Sequence, residues 1–131
     1  MQHYLLISGT IIYITMNTKI ESLITRLDSQ SSDVMFDEVM TLIDELYEFS
    51  PTSFVNGGQR NEAGENSGSC KVLSFALLNS LTEEQTLLLF GQYYRDVKAS
   101  PEADDHQNIR QFILHGFSGL KFDSCALLAK A

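Results

Sequence analysis

The sequence contains no tryptophan, only two prolines and only two cysteines in 131 residues. Cys70 and Cys125 cannot form the disulfide framework with which small secreted domains replace a core, so a reducing compartment is expected. Bases are scarce too: nine against seventeen acids, for a formal net charge of −8. That excludes nonspecific binding to nucleic acid or to an anionic membrane, since both need a basic surface. No apolar run reaches the roughly 20 residues that a membrane-spanning helix requires. Internal repeats and low-complexity tracts are absent as well.

What remains is a chain of ordinary apolar content, 44%, whose length suits one domain with its own core. The charge is uneven. Residues 17–60 and 61–105 each hold eight acids and three bases, while 106–131 holds three bases and one acid. A solvated basic end accounts for this without further assumption.

Residues 1–15 stand apart. Leu5 to Ile14 is apolar and β-branched, interrupted by Ser8-Gly9-Thr10. It lacks the basic residues ahead of the apolar core, and the small-residue cleavage site behind it, that mark a signal peptide. Met16-Asn17-Thr18 reads as the natural start, with 1–15 expected as a non-native or weakly ordered extension. If it is part of the fold, it forms a short strand or hairpin around Ser8-Gly9-Thr10.

From Asn17 the pattern is helical. Ile20, Leu23, Ile24 and Leu27 share a face behind an N-cap at Asn17 or Thr18. Ser29–Ser32 breaks the pattern, and Asp33 can cap a second helix on Phe36, Val39, Met40, Ile43, Leu46 and Tyr47, stopped by Pro51. Ser69–Asn79 is apolar nearly all round, as a buried helix is, although a buried strand has the same signature. Thr82-Glu83-Glu84-Gln85 is a capping box for a helix with Leu87, Phe90, Tyr94 and Val97 in one stripe. Gly91 inside it costs about 1 kcal/mol relative to alanine, which implies close approach by a neighbour. Asp104 or Asp105 is expected to cap a last helix burying Ile109, Phe112 and Ile113 and ended by Gly116. The fold class is therefore α+β and helix-dominated, with about five helices around one core in a single domain, 16–131. Short extended pieces near 53–56 and 119–123 can pair as a minimal sheet.

The centre of the chain is Asn56–Phe75, where a loop rich in glycine and asparagine runs into an apolar segment headed by Cys70. Both residue types tolerate positive φ, so the composition describes a loop of defined shape, and such loops often carry sites. Two chemistries can be built on it. In the first, Cys70 at a helix N-terminus is activated as a thiolate and His106 acts as base, oriented by Asp105 or Asn108. The Cys-then-His order matches papain-like enzymes, but no glutamine stands where theirs does, and the chain is short. A small buried cysteine and a histidine paired with Asp104 or Asp105 explain the same residues. In the second, Arg95 and Arg110 reach back to Asn56, Asn61, Glu62 and Asn66 and, with Asp105 and His106, order the loop into a polar binding pocket. His106, Asp105 and Glu62 lack metal-ligand spacing, and no Lys-Ser/Thr follows the glycines at phosphate-loop spacing, so neither metal nor cofactor is expected.

As a set, Asn56-Gly57, Asn61-Glu62-Ala63-Gly64, Gly68-Ser69-Cys70-Lys71, Phe90-Gly91, Tyr94-Arg95-Asp96-Val97 and Asp105-His106-Gln107-Asn108-Ile109-Arg110 resemble the HopJ type III effector family over roughly Phe36–Phe122. The resemblance implies a bacterial protein with a compact domain containing a small sheet, located in the bacterial cytoplasm or exported into a host cell by type III secretion. It supplies no catalytic residue. Arg60 in the glycine loop, and Phe117-Ser118-Gly119 where relatives carry Trp-x-Gly, depart from the family pattern. The favoured reading is a non-enzymatic binding protein that uses loop 56–69 on an unidentified protein or small-molecule partner. The alternative is a small cysteine-dependent hydrolase or transferase.

Overall fold

The computed structural model describes residues 2–7, 10–15, 17–29 and 33–130, with side chains from Asn17 onward. It divides into two units, residues 1–31 and 32–131. In the first, β1 (Gln2–Ile7) pairs antiparallel with β2 (Thr10–Thr15). Helix α1 (Thr18–Asp28) follows, and the Asn17 side chain accepts from the Lys19 and Ile20 amides. Ile20, Leu23 and Leu27 are buried at the expected helical spacing. Ser8, Gly9, Met16 and residues 30–32, on which the expected turn, chain start and helix break fall, lie outside the described residues.

The second unit is helix-dominated α+β, as expected. Helix α2 (Phe36–Leu46) buries Val39 and Ile43 against α3 (Ser67–Leu78). Its N-cap is Met35 rather than Asp33, and the Met35 amide donates to Glu38 Oε2 at 3.3 Å. It also ends before Pro51. Tyr47–Phe49 is a strand, β3, paired antiparallel with a strand near the C-terminus, Leu127–Ala129. Pairing with that distant segment supplies the backbone hydrogen bonds that another helical turn would have made.

The expected pairing of the two short extended pieces is present. Strand β4 (Phe54–Asn56) lies antiparallel to β6 (Leu120–Phe122), with Phe54 opposite Phe122 and Asn56 opposite Leu120. The sequence reading missed a third strand, β5 (Gln59–Asn61), on the other side of β4, and the C-terminal Leu127–Ala129 strand, β7. Gly57 makes the two-residue β4–β5 turn with φ +57, the positive first position of a tight hairpin turn. Much of the supposed loop is thus a hairpin.

Helix α3 sits at the centre, with Val72, Leu73, Phe75 and Ala76 fully buried. An apolar segment with no polar face must be covered on several sides. It is: α2, α4 (Glu83–Leu88) and β7 all contact it. Each large side chain buried in this way contributes about 1.5–3 kcal/mol. The last helix, α6 (Gln107–His115), buries Asn108, Ile109 and Phe112, whereas Ile113, expected inside, is 47% exposed. Its N-cap is His106, not an aspartate.

The capping box at Thr82 forms as expected, with the Gln85 amide donating to Thr82 Oγ1 at 3.0 Å. The helix it opens does not continue to Val97. It breaks at Gly91, and α5 (Gln92–Ala99) starts afresh, giving six α-helices among the described residues instead of five. Gly91 has φ +60 and ψ −129, and a Cβ there would stand 2.6 Å from the Phe36 backbone nitrogen. The chain before α2 is latched into this gap. The Phe36 amide donates to Gln92 Oε1 at 2.9 Å, and Arg95 Nη1 donates to the Val34 carbonyl at 3.0 Å. In a continuous helix, Gly91→Ala would stabilise by about 1 kcal/mol. Here it should destabilise by about 1–3 kcal/mol through backbone strain alone. The shift of the urea midpoint gives the sign, and a rise would contradict the break.

Candidate functional site

In β4 the two-residue alternation that buries Phe54 also buries Asn56, and Asn61 of β5 lies opposite Phe54 and is equally buried. Buried amides need partners, and the first turn of α6 provides them. Asn56 Nδ2 donates to the Asn108 carbonyl (2.8 Å) and to Asn108 Oδ1 (3.0 Å). Asn61 Nδ2 donates to the same Oδ1 (3.2 Å), while Asn108 Nδ2 donates to Asn61 Oδ1 (2.9 Å). Asn66 Nδ2 joins at Asn61 Oδ1, 2.6 Å away. Asn56 Oδ1 is the one buried side-chain oxygen without a partner among the described residues. One turn further along α6, Gln111 Oε1 accepts from the Gly58 amide at 2.7 Å. The hairpin is therefore held by amides on one face of a single helix.

Above this network the chain opens a cavity of about 640 Å³. Two helices begin at its wall, α3 after Asn66 (φ 49) and α6 after His106 (φ 52); the backbone at both N-cap residues is left-handed, and neither gives its helix a side-chain cap. The cavity lining mixes polar residues, Gln59, Asn66, Ser69, Gln107 and Asn108, with the rings of Phe36, Phe90, Tyr93 and His106, and Gly68 and Ile109 complete it. The Tyr93 ring is edge-on to Phe36 at 5.2 Å and tilted 37° to His106 at 5.3 Å. Among the described residues, no aspartate, glutamate, lysine or arginine lines the cavity.

The residues singled out in the sequence are distributed unevenly around this site. Asn56, Asn61 and Asn66 meet in the network, and Asn66 and His106 line the cavity. Glu62 is exposed and paired with Arg60 at 3.0 Å. The two arginines do not hold the loop. Arg95 binds the Val34 carbonyl, with Met35 Sδ 3.3 Å from its Nη2. Arg110 donates to Asp105 Oδ1 (2.7 Å) and to the Ser100 (3.0 Å) and Pro101 (3.2 Å) carbonyls, closing the turn ahead of its own helix. Long side chains find carbonyls within reach, and here these belong to nearby turns. Cys70 and His106 share no hydrogen bond. Cys70 is 2% exposed, and burial pushes its thiol above the ordinary value, outweighing downward pulls from the Thr52 backbone, Ser74 and Lys71. His106 Nε2 lies 3.8 Å from Asp105 Oδ2.

In the sequence Asn108 was considered only as a residue to orient His106, and Phe36 and Tyr93 were not among the site residues. Asn108 had a legible signal, since it is a polar residue four positions before Phe112 on the buried stripe of α6.

Asn108→Ala should remove the Oδ1 acceptor shared by Asn56 and Asn61 and the donor to Asn61 Oδ1, while Asn56 keeps the Asn108 carbonyl, at about 1–3 kcal/mol for a buried group left under-bonded. Hydrogen exchange at Gly58–Asn61 should accelerate in that variant and stay unchanged in Arg110→Ala. The reverse pattern would restore the arginine as the loop's anchor. Arg110→Ala acts elsewhere. Its hydrogen bond is the largest of the influences holding the Asp105 carboxyl below the ordinary aspartate value. A depressed folded-state pKa stabilises above the unfolded-state value, and that contribution is lost as pH falls through the folded one. NMR titration should show Asp105 moving upward in Arg110→Ala, and the stability gap between the two proteins closing under acid. A carboxyl that does not move rules out the pairing in solution.

A model of the HopJ type III effector protein family matches residues 20–127. Among solved structures, the chain is similar to the crystal structure of VPA0580, a protein described as of unknown function. The TM-score is 0.82 and the sequence identity 42%, over 89% of this chain and 97% of that one. No curated protein matches the chain.

Proposed function

The chain belongs to the HopJ type III effector family, and on that footing we propose that it is a non-enzymatic binding protein. Its contact surface is the cleft that the 59–69 segment shares with α5 and the first turn of α6. The observation that carries this reading is what the cleft is made of. It offers part-exposed aromatic rings beside amide and hydroxyl groups, the mixture typical of recognition pockets, within the usual size range of about 300–1,000 Å³. A catalytic cysteine needs a lowered thiol pKa, and burial moves Cys70 the opposite way. The partner is a protein or a small molecule. With a net charge of −8, neither nucleic acid nor a membrane surface is its target. The protein's origin is bacterial, and its place of action is a host cell reached by type III secretion.

A fragment screen read by protein NMR tests the proposal. Binders should gather on the signals of Asn66, Tyr93, His106 and Asn108, and Cys70→Ser should leave them unchanged. Binders that avoid those signals, or a Cys70 thiol that alkylates rapidly at neutral pH, would overturn it.

A further inference from the structure

Resting on that cleft as the binding surface, we infer that its ligand is a neutral planar heterocycle of the nucleobase class, presented by a free molecule of nucleoside size. The first support is the aromatic wall. Phe36, Tyr93 and His106 are each partly exposed, and Tyr93 touches both others, so the three rings form one continuous surface. Unpaired bases bind by laying a face on such rings.

The second support is the polar part of the lining. Asn66 gives its Nδ2 to Asn61, and Gln59 gives its Nε2 to the Arg60 carbonyl. In each amide the oxygen makes no hydrogen bond among the described residues and remains as an acceptor. The Ser69 and Tyr93 hydroxyls serve as donor or acceptor. Donors and acceptors set beside an aromatic face are what reading the edge of a base requires.

The third support is that, among the described residues, the lining holds no aspartate, glutamate, lysine or arginine. A phosphorylated ligand finds no lysine or arginine there. A sugar finds no carboxylate, the strongest acceptor for its hydroxyl groups. A nucleic-acid strand would meet a protein of net charge −8, which disfavours it.

The test is an NMR titration of the full chain with adenosine and uridine, alongside AMP, a short single-stranded oligonucleotide, glucose and benzoate. A nucleoside should shift Asn66, Tyr93, His106 and Asn108. Tyr93→Leu, which keeps apolar bulk but removes the ring, should weaken binding roughly ten-fold, the scale of one lost stacking partner. Ser69→Trp, which fills the cavity, should abolish binding, whereas Lys98→Ala, outside the cavity, should not affect it. Silence of both nucleosides at these signals overturns the inference. Glucose or benzoate binding there instead overturns the ligand class and leaves the cleft standing as a binding site. AMP binding more tightly than adenosine overturns neutrality. An oligonucleotide binding more tightly than either nucleoside overturns the free-molecule source.

Discussion

Three asparagine side chains are buried together in this protein, and most of the functional architecture depends on their being bonded to one another. A buried amide without a partner costs about 1–3 kcal/mol, so Asn56, Asn61 and Asn108 tolerate burial only in the arrangement that joins them. That arrangement fixes the β4–β5 hairpin against the first turn of α6. Asn66 hangs from the same network, and the left-handed residue it provides starts α3. The network is thus both a clamp between distant segments and the base on which the cleft stands. Directional bonds suit this role because, unlike apolar contacts, they specify one register.

The aromatic wall has a separate origin. Gly91 starts α5 in a conformation that places its bare Cα beside the Met35–Phe36 backbone. Phe36 is thereby held against Tyr93 and Phe90. Arg95 and Gln92 secure the approach by bonding the Val34 carbonyl and the Phe36 amide. The two sets of groups share supports as well, since His106 caps the helix that carries Asn108 and Gly68 lies against the Phe36 ring.

Cys70 illustrates how composition can suggest chemistry that position denies. A cysteine in the first turn of a helix, following a glycine-rich segment, has the sequence context of an activated thiol. In the folded chain the side chain turns into the core below that turn, toward Thr52 and Ser74. Desolvation then opposes the thiolate that the helix terminus would favour. The same helix leaves Gly68 and Ser69 at the cleft.

The helical periods, a cap at Asn17 or Thr18, the capping box at Thr82, the buried character of α3, the pairing of two short extended pieces and the family were all legible in the sequence. These follow from hydrophobic period, local hydrogen-bonding chemistry and shared motifs, which act within a few residues or are read as strings. It also pointed to the asparagine-rich stretch as the centre of the molecule. What that stretch bonds to became visible in the folded chain alone. Nothing local distinguishes an arginine that reaches Ser100 from one that reaches Asn61, or an asparagine that faces Asn108 from one that faces water. Strand β5 was hidden because Gln-Arg-Asn has little intrinsic preference for a strand and forms one only where β4 offers an edge. The break at Gly91 was hidden because its cause, the backbone of residues 34–36, lies over fifty positions earlier in the chain. Local chemistry set the elements, and the choice among partners was left to packing.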